Sequence, residues 1–161
     1  MNYSKRIEQA LEEAVARAEA PGAPPKLAEA IRYAVFPGGA RVRPHLCIAV
    51  AEATGGSAPG LDDSAAAAIE LLHCASLVHD DLPCFDDADI RRGQPSVHKA
   101  YSEPLAVLAG DAMIIMAFEA LARGGVAAPN RVGRLLTTIS RSVGMPYGIT
   151  AGQAWESEDH A

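Results

Sequence analysis

The sequence predicts an all-α protein, and three observations carry that expectation. Hydrophobic residues make up 49% of the chain while aromatics make up only 5% and alanine is abundant, a composition that suits close-packed helices better than a β-sandwich. Apolar residues recur at spacings of three and four through successive segments. Nothing alternates with strand periodicity for long, and there is no internal repeat or low-complexity linker. With 161 residues the chain is long enough for one domain, 1–161, with a real core.

The elements follow in order. Residues from about 4 to 20 read as an amphipathic helix with Ile7, Leu11, Val15 and Ala18 on one stripe. The proline-rich run 21–25 ends it. A second helix is expected over about 25–36, with proline in its first turn and Pro37-Gly38-Gly39 as its stop. A third covers about 42–54 and stops at Gly55-Gly56. Asp62, Asp63 and Ser64 offer an N-cap for a long helix through about Leu82, interrupted by Pro83. An irregular, highly charged segment is expected to about Ser96. Residues 104–122 and 130–143 complete the set. Two of these helices are apolar enough to be buried.

Charge and cysteine content narrow the function classes. A formal net charge of −6 argues against wholesale affinity for nucleic acid or anionic membrane, while leaving room for a local basic site. Cys47, Cys74 and Cys84 form no CxxC pair and read as reduced thiols rather than disulfides or a zinc knuckle. The start "MNYSKRIEQALEEA" has no apolar signal core, and no segment is expected to reach the roughly 18 apolar residues of a membrane span. A cytoplasmic protein is expected.

The stretch "LVHDDLPCFDDADIRRG", residues 77–93, carries the chemistry. At 100° per residue, Ile69, His73, Ser76 and Asp80 fall on one line of the preceding helix. A polar stripe therefore climbs an apolar helix and ends among Asp80, Asp81, Asp86, Asp87 and Asp89. Clustered carboxylates raise each other's pKa, a cost that a divalent cation removes, and all-oxygen ligands favour Mg²⁺, Mn²⁺ or Ca²⁺. Pro83 breaks the helix, so Asp86 can fold back toward Asp80. Arg91 and Arg92 follow at once. Mg²⁺ shares a few carboxylates with substrate phosphates, and guanidinium groups hold phosphate oxygens in bidentate fashion. The combination implies a diphosphate ligand. A solvated, self-neutralising loop is the plain alternative, and the helix break and polar stripe weigh against it.

A second basic cluster, "PGGARVRP", spans residues 37–44. Its glycines allow close backbone approach to a ligand, the following helix aims amide donors at the loop, and Arg41 and Arg43 add charge. A capping loop with solvated arginines explains the same pattern about as well. His45 and His98 read as surface or satisfied core histidines. His79 beside Asp80 suggests the His-Asp pair of metal phosphohydrolases, although the oxygen-rich cluster suits Mg²⁺ better. Asp111, inside "LAGDAMII", is a candidate buried carboxylate. Met113, Met116 and Phe118 read as core, and Trp155 carries little information.

Taken together, "LLHCASLVHDDLPCFDDADIRRG", "PGGARVRP" and "GMPYGITAGQ" closely resemble the trans-isoprenyl diphosphate synthases of the polyprenyl synthetase family, in particular bacterial farnesyl and geranylgeranyl diphosphate synthases. The resemblance implies an isoprenoid synthase fold, all-α with helices around a deep central cavity, usually as a homodimer. It implies that Asp80 and Asp86 coordinate Mg²⁺ bridging an allylic diphosphate, with Asp81 and Asp87 in support and Arg91 on the same diphosphate. Gly39, Arg43, His73 and Arg92 would hold isopentenyl diphosphate, and Gln153 would lie beside the reacting carbons. In the family, loss of diphosphate leaves an allylic cation, the double bond of isopentenyl diphosphate attacks it, and a proton is lost.

Two departures from the family pattern stand out. The usual Gly-Lys-Arg-x-Arg reads Gly39-Ala40-Arg41-Val42-Arg43 here, so the lysine that would contact isopentenyl diphosphate is Ala40, and either Arg41 compensates or affinity is weaker. Family members run to roughly twice this length, with a second aspartate-rich motif beyond the "GQ" motif. The expectation is an N-terminal portion of one polyprenyl synthetase domain, incomplete as a catalyst. Positions four and five before the first aspartate, which in the family block the product tunnel when bulky, are Ser76 and Ala75. Both are small, which favours a product longer than farnesyl, with geranylgeranyl diphosphate as the expected product. The alternatives are a non-catalytic partner subunit of a synthase and a His-Asp phosphohydrolase.

Overall fold

The computed structural model describes residues 2–36 and 39–158. Among the described residues the regular structure is helical except for one small hairpin. Helix α1, Tyr3–Ala18, opens on Asn2, whose side chain accepts from the Lys5 amide at 3.3 Å. It buries Ile7, Leu11, Ala14 and Val15. Helix α2, Pro25–Val35, starts on a proline at its first position, where the missing amide costs nothing. It ends with Phe36 in extended conformation, as the residue before a proline prefers. Pro37 and Gly38, the expected stop, lie outside the described residues. Helix α3, Val42–Ala53, follows a left-handed Arg41 (φ 48°) and closes on Thr54.

The long helix α4, Pro59–Asp80, departs from expectation at both ends. It begins one turn earlier than Asp62. Pro59 takes the first position, and Asp62 reaches back to accept from the Ala58 amide and the Ser57 hydroxyl, each at 2.8 Å. Asp62 thus satisfies orphan donors from inside the helix instead of capping it. At the far end α4 stops at Asp80, before Pro83, with Asp81 as C-cap.

The charged segment is more ordered than expected. Strands β1, Ile90–Arg91, and β2, Gln94–Pro95, pair antiparallel around Arg92-Gly93. Both turn residues have positive φ, 53° and 79°, the geometry of a two-residue type I′ hairpin. An arginine at the first turn position hides this signal in the sequence. A short helix α5, Val97–Ala100, then leads to α6, Glu103–Gly124, capped by the Ser102 hydroxyl. A 3₁₀ turn, α7 (Pro129–Val143) and α8 (Ile149–Ser157) complete the described chain. The α8 helix was not expected, because "GITAGQAWES" is short, glycine-interrupted and without strong periodicity.

The core lies between α4 and α6. His79 near the end of α4 abuts Gly110 near the start of α6, and Gly124 abuts Ser64, so the two run antiparallel. Both helices contribute mostly small residues to one apolar cluster, Ala65, Ala66, Ala68 and Ala75 from α4 and Ala106, Ala109, Met113 and Ala117 from α6. One expectation is overturned here. By length and composition α6 is apolar enough to cross a membrane, though 44% of its most apolar stretch is buried inside the protein. Its apolar residues ring the helix because one side meets α4 while Val107, Leu108 and Ile115 remain exposed.

Candidate active site

The stripe read along α4 lines a trough. Ile69, His73 and Ser76 face cavity space bounded on the other side by Ile149 and Thr150 of α8. At the polar end a cavity of about 370 Å³ is lined by Arg43, His73, Ser76, Asp80, Phe85 and Gln153. Adjoining it, a cavity of about 440 Å³ runs between Ile69, Leu72 and Ala75 of α4, Ile114 of α6, and Ile139 and Val143 of α7. The two share Arg43, His73, Ser76, His79, Ile149 and Thr150. The trough therefore has a charged mouth at Asp80 and an apolar floor toward Ile69, ~16 Å down the helix at about 1.5 Å per residue.

At the mouth, Asp80 carries an elevated pKa. Burial is the main cause, followed by repulsion from Asp86, against which Arg91 acts in the opposite direction. The turn after α4 brings the pair together, with the Asp86 amide donating to the Asp80 carbonyl at 3.0 Å. Gln153 on α8 donates to Asp80 Oδ1 at 3.4 Å. A like-charged pair that Arg91 only partly offsets suits a hard divalent cation, and Mg²⁺ commonly takes only one or two protein carboxylates. Among the described residues no group of three or more His, Cys, Asp or Glu side chains converges to hold a metal. Asp80 and Asp86 are the carboxylates that the turn brings together at this end of α4.

The other acidic residues serve the scaffold. Asp81 is buried, and Arg91 Nε donates to its Oδ1 at 2.9 Å and its Oδ2 at 3.2 Å. Arg91 Nη2 also stands 3.8 Å from Asp80 Oδ2. Arg91 therefore reaches the mouth while anchored from beneath. Asp87 and Asp89 pair with Lys99 at 3.3 and 3.0 Å, tying the hairpin to α5. Asp87 and Arg92 both hold left-handed backbone, φ 45° and 53°, strain of the kind that persists where surrounding contacts fix a loop.

The second basic cluster splits in two. Arg43, exposed in the first turn of α3, places Nη1 3.4 Å from His73 Nε2. The His73 pKa is lowered, first by burial and then by Arg43, with Arg92 adding to the effect. This leaves a neutral imidazole to accept from the guanidinium. Gly39 makes room for Arg92: a β-carbon there would lie 3.0 Å from Arg92 Cζ. Arg43, His73, Arg92 and Gly39 are thus drawn together from three separate stretches of sequence. Arg41 is not with them. It is 5% exposed and paired to Glu8 and Glu70 at 2.8 Å each. The expectation that Arg41 adds charge to the anion site, or stands in for the lysine absent at Ala40, is overturned: a buried arginine needs partners, and it finds them inside.

The remaining candidates resolve as follows. Ala75 is buried and Ser76 is partly buried, and both line the apolar cavity. Ser76 Oγ donates to the His73 carbonyl at 2.8 Å. His79 Nε2 lies 3.2 Å from the Val107 carbonyl and 3.7 Å from Asp111, turned toward α6. Asp111 is exposed, not buried. It lies on the side of α6 away from the buried face formed by Ala106, Ala109 and Met113. His45 is satisfied by the Arg41 carbonyl and the Ser4 hydroxyl, and His98 is buried beside Ser96. Met113 and Met116 are core, Phe118 packs at its edge, and Trp155 is exposed on α8. Sequence reasoning missed Thr150, Ile149 and Phe85 as wall residues, because no periodicity ties them to α4.

A family model described as polyprenyl synthetase matches residues 24–161. The geranylgeranyl diphosphate synthase of Cereibacter sphaeroides is 59% identical over 158 residues, covering 98% of this chain and 55% of the relative. The enzyme of the same description from Rhodobacter capsulatus is 56% identical over the same span. Among solved structures, a geranyltransferase from Legionella pneumophila superposes with a TM-score of 0.86 at 34% identity, over 99% of this chain and 56% of that one. An FPP/GFPP synthase from Zymomonas mobilis gives 0.82 at 36% identity, over 97% and 58%. The chain spans about half the length of the curated relatives it matches, 55% in each of these two cases.

Proposed function

The chain belongs to the polyprenyl synthetase family, and from that premise we propose that it supplies the first-aspartate-motif portion of a prenyl diphosphate synthase domain. The reaction is the Mg²⁺-dependent head-to-tail condensation of an allylic diphosphate with isopentenyl diphosphate. One observation carries the reading: Asp80, with Asp86 in the turn beside it, stands at the charged end of a trough whose far walls are mostly apolar. Such a trough orients an amphiphile with its anionic head at the mouth and its hydrocarbon tail inside.

Asp80 and Asp86 would hold the Mg²⁺, which when bound supplies neutralising charge for the departing diphosphate. Arg91, braced by Asp81, faces the same diphosphate. Arg43 and Arg92, with the neutral His73 accepting from Arg43, hold the diphosphate of the second substrate. Gln153 lies against Asp80 and orients the mouth. The allylic C–O bond breaks and diphosphate leaves, the isopentenyl double bond attacks the resulting cation, and a proton is lost. The residues contribute mainly orientation and charge stabilisation. Ala75 and Ser76 leave the trough open below the mouth, which supports a product longer than farnesyl, geranylgeranyl diphosphate. A cytoplasmic homodimer, with the exposed Val107, Leu108 and Ile115 of α6 covered, fits the same reading.

The test is incubation of a longer protein, carrying this portion together with the remainder of the synthase domain, with Mg²⁺, labelled isopentenyl diphosphate and an allylic primer, with and without the Asp80→Ala substitution, followed by chain-length analysis. Geranylgeranyl product that disappears in the variant is expected, and near-normal turnover by the variant defeats the assignment. A non-catalytic partner subunit is the second reading, favoured by a metal site of two carboxylates. It predicts no product from this chain alone and altered output when it is mixed with a full-length synthase. A His-Asp phosphohydrolase has less support, since His79 Nε2 is engaged by the Val107 carbonyl and Asp111 of α6.

A further inference from the structure

We propose that Arg41 is a positioning residue that sets the second diphosphate site, holding Arg43 in register with the polar stripe of α4. The inference rests on the reading of Arg43, His73 and Arg92 as that site. Arg41 sits where four elements meet. Its Nε donates to Glu8 of α1 at 2.8 Å, its Nη1 to Glu70 of α4 at 2.8 Å, and its Nη2 to the Val35 carbonyl at the end of α2 at 2.9 Å. Its own carbonyl accepts from the His45 amide at 3.1 Å and from His45 Nδ1 at 2.7 Å, in the first turn of α3. The fork of a guanidinium can serve three acceptors at once, which a lysine ammonium on a flexible stem cannot match in geometry.

The backbone shows why such a clamp is needed. Arg41 is left-handed, φ 48°, a conformation costly for a residue with a β-carbon and held only where contacts over-determine it. That bend lets residue 41 point into the core while Arg43, two residues on, stays exposed and meets His73. Glu70 is one turn before His73 on α4. The Arg41–Glu70 pair and the Arg43–His73 contact are therefore successive rungs between the same two elements. Fixing the first fixes the spacing of the second. With alanine at position 40, Arg43 is the exposed cation of this loop, so its placement carries more of the binding.

The experiment is titration of the 161-residue chain with inorganic diphosphate in the absence of divalent cations, so that binding reports the arginines. Two variants loosen the clamp: Arg41→Lys, and Glu8→Ala, which removes a half-exposed partner and leaves Arg41 paired to Glu70. Circular dichroism establishes that the variants are folded. Each is expected to weaken diphosphate binding by about fivefold or more, and Glu8→Ala in an Arg43→Ala background is expected to add nothing further, the non-additivity of residues acting as a unit. A role confined to general stability predicts independent, additive losses. Unchanged affinity in Glu8→Ala and Arg41→Lys, or additive losses with Arg43→Ala, overturns the proposal while leaving the site reading intact. A wild-type chain that binds no diphosphate overturns the site reading and the proposal with it.

Discussion

Arg41 and Arg43 are two residues apart and face opposite ways, one into the core and one into the trough. Sequence alone gives both the same character, since burial depends on partners at positions 8 and 70, far along the chain. Asp80 poses the converse case. Its place in a carboxylate cluster is legible from the sequence, but its elevated pKa depends on the turn that brings Asp86 over α4. That shift has a pH consequence. A carboxyl whose folded pKa exceeds its unfolded value favours folding below the unfolded value, about 3.9 for Asp, and loses that contribution as pH rises through the folded value. The Asp80→Asn variant should therefore gain thermal stability over the wild type as pH rises above the carboxylate range. Added Mg²⁺ should close the gap. Melting curves of both proteins from acid to neutral pH, with and without Mg²⁺, check this. A constant difference at every pH removes Asp80 as the strained group.

The helices themselves were largely readable. The expected limits of α1, α2, α3, α6 and α7 agree with the observed ones to within about two residues, because apolar periodicity and proline stops act locally. The failures have local causes too. Pro59-Gly60 reads as a breaker yet opens α4, since proline is tolerated where no amide partner is needed. The Arg92-Gly93 turn lacks the asparagine or aspartate that usually marks such hairpins. The α4–α6 contact depends on Gly110, where any β-carbon would collide with the His79 ring. Gly110→Ala should cost about 1–3 kcal/mol of stability through overpacking, with a smaller loss in a His79→Ala background. Denaturant titration of the two single variants and the double variant measures it, and equal losses in both backgrounds would remove His79 as the obstruction.

At the scale of the molecule, the trough is the functional unit, and no single element makes it. Its walls come from α3, α4, α6, α7 and α8, and its length decides what fits. Ser76 lines both its charged and its apolar parts. Filling it with Ser76→Phe should weaken binding of farnesyl diphosphate at least about tenfold, the scale of burying or losing several methylene groups, while short dimethylallyl diphosphate is held as before. Titration of both ligands in Mg²⁺ distinguishes a blocked trough from a damaged mouth, for which both affinities would fall together. The exposed Val42, Leu46 and Val50 on α3 and Val107, Leu108 and Ile115 on α6 form apolar faces larger in number than scattered surface residues require.

What the sequence determined by itself was whatever short-range physics controls: the helical class, most helix limits, the stripe from Ile69 to Asp80, and the motifs that mark the family. Tertiary structure alone decided which charges are spent on the scaffold and which are left for a ligand. Asp81, Asp87 and Arg41 are engaged by Arg91, Lys99 and Glu70, while Asp80 and Arg43 line the trough and Asp86 stands exposed in the turn beside Asp80. The physical reason is that a charge is held inside only when an opposite charge from a distant segment meets it there, and that meeting is a property of the fold.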